Sequence, residues 1–319
     1  MWRLFVASAF FNDYLTRGIQ MKVIKSIETN DAILTYSNIA EDEYPTWVAS
    51  TSYNASDKVI HQHKIYEAIL THSSTTTPDL DQTNWLLIGA TNRYRMFDNV
   101  VSNVSSRTGG IEFTLTPNEV VNGIAFLNLN ATTIRVVVTD PTAGVVYDKT
   151  KELTGSSEVT DYYSYFFAPL VDLNNLKLAI FLDLPSNYPL ASISVTISSG
   201  AGVAEVGEVV YGVQTIVGRT NYGTAIGIKS YSRKETDEFG NVSVVKRKNS
   251  KYAEYDIDID NRFLASVQRF FSDIDSVPCL FIGNPDMEEL IVYGFYNDFK
   301  ATISFPTVSK CNLRVEGLV

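Results

Sequence analysis

The sequence predicts a mainly β protein, and three observations carry that expectation. Short runs rich in Val, Ile, Thr, Tyr and Phe recur along nearly all of its 319 residues, punctuated by Gly, Asn, Asp and Pro. Helical periodicity is convincing in one stretch only, residues 261–274, where Phe263, Leu264, Val267, Phe270, Phe271 and Ile274 return to one face. A hydrophobic content of 45% with 19% charged residues supplies enough apolar surface for sizeable cores. At this length two or three domains are expected.

Taken in order, residues 1–20 form an extension of doubtful role. Arg3 and a short apolar run imitate a signal peptide, but Asn12 and Asp13 interrupt it and no small-residue cleavage site follows, so export by this route is not expected. Met21 opens a strand pattern, MKVIKSIE, and competes with Met1 as the natural start. Residues 21–43 and 91–205 then read as one β-sandwich, with strands at AILTYS, GIEFTLTP, GIAFLNLN, TIRVVVTD, GVVYDKTKEL, YYSYFFAPL, LKLAIFLDLP and ASISVTISSG. Residues 44–90 interrupt it as a small inserted module. Gly200, Gly202, Gly207 and Gly212 lack the spacing of a nucleotide loop and read as a linker. Residues 211–319 form a β-rich α+β domain with one main helix, capped by Asp260 or Asn261. It includes a hairpin arm over residues 231–248, whose basic cluster at 246–248 would blunt an open edge.

The inserted module carries the most specific signal. Trp47 opens it and Trp85 closes it; between them lie Tyr53, a small polar turn through Asp57, two alternating segments and a Thr/Ser-rich loop stopped by Pro78. This pattern resembles the small chitin-binding-type modules found in chitinases, which run W, YxxGDxV, YxA, P, W. On that resemblance Trp47, Tyr53, Tyr66 and Trp85 hold the aromatic positions and Val59 and Ala68 packing positions. Ser56 departs from it, standing where the family has a glycine able to take a positive φ. The resemblance implies a carbohydrate ligand, since aromatic faces offer a rigid apolar platform to the C–H patches of pyranose rings. A competing reading is that in about forty residues the same aromatics are simply the core. Trp47 and Trp85, at entry and exit, are expected to be the staples, and Tyr53 and Tyr66 the exposed platform.

No constellation for catalysis stands out. The three histidines, His61, His63 and His72, all lie in the module; the first two sit two apart, which on a strand would put both on one face and could hold a divalent metal, but no acidic or cysteine partner has suitable spacing, so they read as an exposed pair on a loop or edge strand. Asp256, Asp258 and Asp260 imitate the start of a calcium loop, but Asn261 and Gln268 occupy the positions that need Gly and Glu. They read instead as the wet face of a strand whose dry face is Ile257 and Ile259. Glu41, Asp42 and Glu43 read as a solvated turn. Cys279 and Cys311 read as buried free thiols. No metal and no cofactor is expected. A net charge of −10 argues against a phosphate-backbone partner, so no nucleic acid is expected, and no stretch is long and apolar enough for membrane insertion.

Two wider resemblances complete the expectation. The sandwich resembles the galactose-binding-like jelly roll, through RMFD at 95–98, the pair GIAFLNL and TIRVVVTD, and the late strand SISVTI. Residues 21–319 resemble bacteriophage tail or baseplate carbohydrate-binding proteins, through MKVIKSIETNDAILTYSNIAEDEYPTW, GATNRYRMFDN, GRTNYG and VYGFYNDFKATISFPTVSKCNLRVEGL. That resemblance implies a non-enzymatic virion protein of the phage tail, a homo-oligomer bound to other phage tail proteins, with a module for host cell-surface glycan. Its rivals are an accessory or targeting protein of a polysaccharide or cell-wall hydrolase, and a surface adhesin.

Overall fold

The computed structural model describes residues 19–153, 176–236, 239 and 242–318. The protein is mainly β, with several antiparallel sheets and one main helix. The chain divides into two compact units, Glu28–Val209 and a second made of Met1–Ile27 with Val210–Val319.

In chain order the first strand is β1 (Gln20–Lys25), followed by β2 (Leu34–Ser37). The inserted module then contributes β3 (Ser52–Tyr53), β4 (Lys58–His61), β5 (Lys64–Ala68), β6 (His72–Ser73) and β7 (Trp85–Ala90). Strand β3 pairs with β6, and β4-β5-β7 form a three-stranded sheet.

The rest of the first unit holds β8 (Ser105–Thr108), β9 (Ile111–Leu115), β10 (Gly123–Leu127), β11 (Thr133–Asp140), β12 (Gly144–Glu152), β13 (Leu178–Phe181), β14 (Ser192–Ser198) and β15 (Val203–Val206). Next comes β16 (Glu208–Gly212). Five strands make one antiparallel sheet in the order β12-β11-β14-β9-β2, and β13-β10-β16 make a second. Alternation is strict where one face is wet: Ile134, Val136 and Val138 of β11 are buried between more exposed neighbours. In β10 all five residues are buried, the pattern of a central strand covered on both faces. The YYSYFFAPL strand expected at 162–170 lies outside the described residues.

The linker expectation for the glycines is corrected. Residues 203–206 pair with β8, and β16 is buried along its length. Gly207 sits between these strands because a Cβ there would lie 2.1 Å from the Val101 carbonyl oxygen. This is a close-approach glycine, not a flexible one.

The second unit continues with β17 (Gln214–Thr220), β18 (Ala225–Ser230), β19 (Arg233–Thr236), β20 (Val242–Val245), β21 (Asn249–Asp260), α1 (Leu264–Asp273), β22 (Cys279–Ile282), β23 (Ile291–Thr302) and β24 (Val308–Gly317). Six strands run β17-β1-β22-β23-β24-β21, and β21 pairs back onto β17 through Arg219↔Asp258 and Thr220↔Ile257. The sheet is therefore a closed antiparallel barrel, with β18 added on the outside of β21. Closure removes the open edges that a six-stranded sheet would otherwise present. At the seam a Cβ on Gly218 would come within 2.7 Å of the Asp258 carbonyl oxygen, so glycine is what lets the strands meet.

This barrel corrects the expected domain boundaries. Residues 20–25 do not join the sandwich; they pair with β17 on one side and β22 on the other, and Met21 and Val23 lie fully buried in the second unit's core. The alternation MKVIK reads the same whichever sheet it joins, so pairing partners were invisible in sequence. Residues 303–306 lie in the connection from β23 to β24, with Ile303 and Phe305 exposed.

Helix α1 begins at Leu264, three residues later than expected, and neither expected cap serves it. The Asp260 carboxylate accepts from the Arg262 N–H at 2.9 Å, and the Asn261 amide donates to the Phe305 and Pro306 carbonyls. Val267, Phe271 and Ile274 enter the core, with Phe271 stacked on Phe299 at 4.4 Å, whereas Phe263 is 58% exposed and leaves the expected stripe.

Candidate functional site

The module folds around turns written into its sequence. Asp57 accepts a hydrogen bond from the Asn54 N–H at 2.7 Å, and the Ser56 N–H donates to the Ala68 carbonyl at 2.8 Å. Ser56 takes φ +73°, so the left-handed conformation of the family's glycine is kept by a serine. Gln62 and His63, at φ +46° and +63°, make the two-residue turn between β4 and β5, the geometry that matches strand twist.

Register then decides where the aromatics go. Val59 pairs with Tyr66, and Ala68 with Trp85, so these four share one face. Tyr53 closes that face, its ring 5.0 Å from Trp85, and the five residues form a distinct core. The expected platform is thereby overturned: Tyr53 is 8% exposed and Tyr66 5%, comparable to Trp85 at 2%. The Tyr53 hydroxyl accepts from the Val48 N–H at 2.8 Å and bonds its carbonyl at 3.2 Å, tying the entry strand down. Burial raises the Tyr66 phenol above its ordinary range.

Trp47, expected as a staple, is the most accessible of the four. Its backbone is held by an N–H bond of 2.9 Å to the Ile60 carbonyl, and its half-buried side chain packs against the module core with the indole Nε1 buried, edge-on to His61 at 5.5 Å, so it keeps part of the staple role while leaving some ring surface open. His61 Nε2 lies 3.2 Å from Asp79 Oδ1, an ion-pair distance without hydrogen-bond alignment. A hydrogen bond from Thr77 holds the Asp79 carboxyl below its ordinary range. Tyr44, just before the module's first turn, is exposed, with the Lys58 ammonium 5.6 Å from its ring. Aromatic surface open to a ligand is thus offered by Trp47 and Tyr44. Tyr44 was absent from the expected site; its position directly before Pro45, at the entry, was the available signal. On the edge strand β7, Leu86, Leu87 and Ile88 are exposed in succession.

The histidine pair is also corrected. His61 ends β4, but His63 occupies the hairpin turn and does not share its face. His63 instead lies between two carboxylates, Nδ1 at 2.9 Å from Glu41 Oε2 and Nε2 at 3.0 Å from Asp31 Oδ2, and stacks on Tyr94 at 4.0 Å. Nor is the acidic run 41–43 merely a solvated turn. Glu41 accepts from the Thr91 hydroxyl and Glu43 from the Asn92 N–H, each at 2.5 Å.

Elsewhere, Asp256, Asp258 and Asp260 line the half-exposed face of β21 while Ile257 and Ile259 are buried. Among the described residues no group of three or more His, Cys, Asp or Glu could hold a metal ion. Burial pushes the Cys279 thiol up to about 12 and Cys311 to about 11, which keeps both unreactive. A cleft of about 280 Å³ lies where β17 and β21 diverge, lined by Gln20, Gly218, Arg219, Asp258, Asp260 and Phe263. In the first unit Glu208 is 1% exposed with Oε2 unpartnered, and burial pushes its carboxyl up to about 9. No helix among the described residues is long and apolar enough to cross a membrane.

Comparison of the chain with protein-family models and with curated proteins gives no match.

Proposed function

We propose that this protein is a non-enzymatic structural component of a bacteriophage tail tip or baseplate, whose inserted module contacts host surface glycan through Trp47 and Tyr44. The observation that carries the glycan reading is the module's division of labour. Tyr53, Tyr66 and Trp85 make its core, which leaves a half-buried tryptophan at 47 and an exposed tyrosine at 44, three residues apart in sequence. Flat apolar faces beside the His61 and Asp79 side chains suit a sugar ring, which needs stacking and hydrogen-bonding groups together. The scaffold reading draws support from the second unit. Its hairpin β19–β20 exposes Val242, Val244 and Val245 and is followed by the exposed basic run 246–248, a surface suited to pairing with copies of the chain or with other tail proteins.

A glycan array carrying chitin oligomers and bacterial surface polysaccharides tests the module on the full chain. Trp47→Ala is expected to weaken retention at least tenfold in a chain that remains folded, the loss of one stacking face worth roughly 1.4 kcal/mol or more. If the wild-type chain retains no glycan, the sugar reading is lost. Absence of the protein from purified phage particles would remove the scaffold reading.

A further inference from the structure

His63 has an arrangement that neither the glycan reading nor the scaffold reading uses. Its two ring nitrogens face two different carboxylates, Glu41 through Nδ1 at 2.9 Å and Asp31 through Nε2 at 3.0 Å. A neutral imidazole has one N–H and one lone pair, so it can donate to only one of them; the other nitrogen would turn a lone pair toward a carboxylate oxygen. Both contacts are favourable together only when the ring carries two protons. The carboxylates are themselves fixed. Thr91 donates its hydroxyl to Glu41 Oε1 and Tyr94 donates to Asp31 Oδ1, each at 2.5 Å, while the Tyr94 ring stacks under the imidazole.

The four partners come from different places. His63 is at the tip of the module's β4–β5 hairpin, Asp31 lies in the turn before β2, Glu41 precedes the module, and Tyr94 follows it. We propose that His63 is a pH-dependent latch fastening the tip of the inserted module to the segments that carry Asp31, Glu41 and Tyr94, closed while both ring nitrogens are protonated and loosened when one proton leaves. The proposal holds whatever the module binds.

Which contact gives way follows from exposure. The Asp31 side chain is 73% exposed and that of Glu41 is 18% exposed, so the less solvated Glu41 keeps the remaining N–H and Asp31 swings to water. The Thr91 N–H bond to the His63 carbonyl, 2.9 Å, does not depend on charge and limits the movement to a loosening. The other charged neighbours are Arg93, which acts on Asp31 and Tyr94, the Glu43–Arg95 pair at 3.8 Å, and exposed Lys64 next in sequence. The Tyr94 hydrogen bond, then that of His63, holds the Asp31 carboxyl below its ordinary range. A depressed carboxyl contributes stability that is lost only as pH falls through its folded value, so the acid limit of the latch lies below about pH 4. Imidazole side chains in general change charge between roughly pH 5 and 8, which sets the range to be scanned.

Hydrogen exchange on the full chain, corrected for the intrinsic pH dependence of exchange, tests this in peptides covering residues 28–36, 58–68 and 88–95. Protection in the wild type is expected to fall several-fold between pH 5 and 8, as the ring loses the proton that lets it donate to both carboxylates. His63→Asn, which tolerates the left-handed turn, should show the low protection at every pH. His63→Arg, permanently charged, should show weak pH dependence. A flat corrected profile in the wild type, or an unchanged profile in His63→Asn, overturns the latch. Should His63→Asn fail to fold, Asp31→Asn takes its place, and it must at least halve the pH effect for the proposal to stand.

Discussion

Among the described residues five buried ones make the core of the inserted module, and three of them, Tyr53, Tyr66 and Trp85, are aromatic; sixteen make the core of the barrel, where three, Tyr255, Phe271 and Phe281, are aromatic and Phe270, Tyr296 and Phe299 pack on it partly buried. The contrast follows from size. A unit of about forty residues has few inward positions, so each must carry a large side chain if enough apolar area is to leave water. The barrel closes on itself and fills its interior with Val, Ile, Leu and Cys from six strands, with helix α1 supplying Phe271. An aromatic-rich small module therefore has fewer rings to offer a ligand than its composition suggests.

Equal truncations in the two regions should break this contrast most sharply. Trp85→Ala and Phe271→Ala each remove a buried ring, at a cost of about 3–5 kcal/mol. In the module that exceeds what so small a core can supply, and residues 44–90 are expected to lose exchange protection while the barrel retains it. Phe271→Ala should lower the melting temperature but leave a cooperative transition. If both variants melt as one unit with the same loss, the module shares its stability with its surroundings.

Neither core contains a carboxylate, whereas the first unit buries Glu208. Burial, reinforced by Asp98, raises its carboxyl from an ordinary 4.5 to about 9. The sign follows from which form the folded state prefers. A raised carboxyl favours the folded protein below its unfolded value near 4.5, and that stability is lost as pH rises through about 9. Denaturant midpoints in a chelating buffer should show the wild type losing on the order of 2 kcal/mol between pH 5 and 8, and Glu208→Gln losing less. Equal slopes in the two proteins would show the carboxylate already ionised and solvated at pH 5.

Two smaller effects probe the module alone. Tyr53→Phe keeps the ring against Trp85 but removes the hydroxyl bonded to Val48, and should cost about 1 kcal/mol in thermal denaturation without changing glycan retention. Loss of glycan retention in that variant would return Tyr53 to the binding face. Ser56→Gly relieves a serine held at φ +73° and should gain about 0.5 kcal/mol, the strain released less the added freedom of the unfolded chain. A loss there would mean the serine hydroxyl contributes more than the backbone strain costs.

Much of this architecture was legible because it rests on local pattern. The period of two announced β-strands such as Thr133–Asp140, the 3.6 period announced α1, and the Asp-Ile alternation announced the half-wet strand that ends at Asp260. Within the inserted module the turn from Asn54 to Asp57 was visible because it is short-range and its residue types are specific, whereas Gln62 and His63 carry no turn signature and their two-residue turn emerged only in the structure. Placement of the aromatics was not visible. A face is assigned by register, and Tyr66 goes inward because it pairs with Val59, a relation between strands that the alternation of either strand leaves open.

What the sequence by itself determined is the β class, the main helix and the turn from Asn54 to Asp57, all governed by interactions within a few residues. Tertiary structure alone decided the rest. Residues 20–25 close a barrel formed otherwise by strands from 214 onward, and His63, Asp31, Glu41 and Tyr94 meet from four separate segments. Such contacts depend on which edges and turns end up adjacent once apolar faces are buried, and that geometry is a property of the whole packed chain.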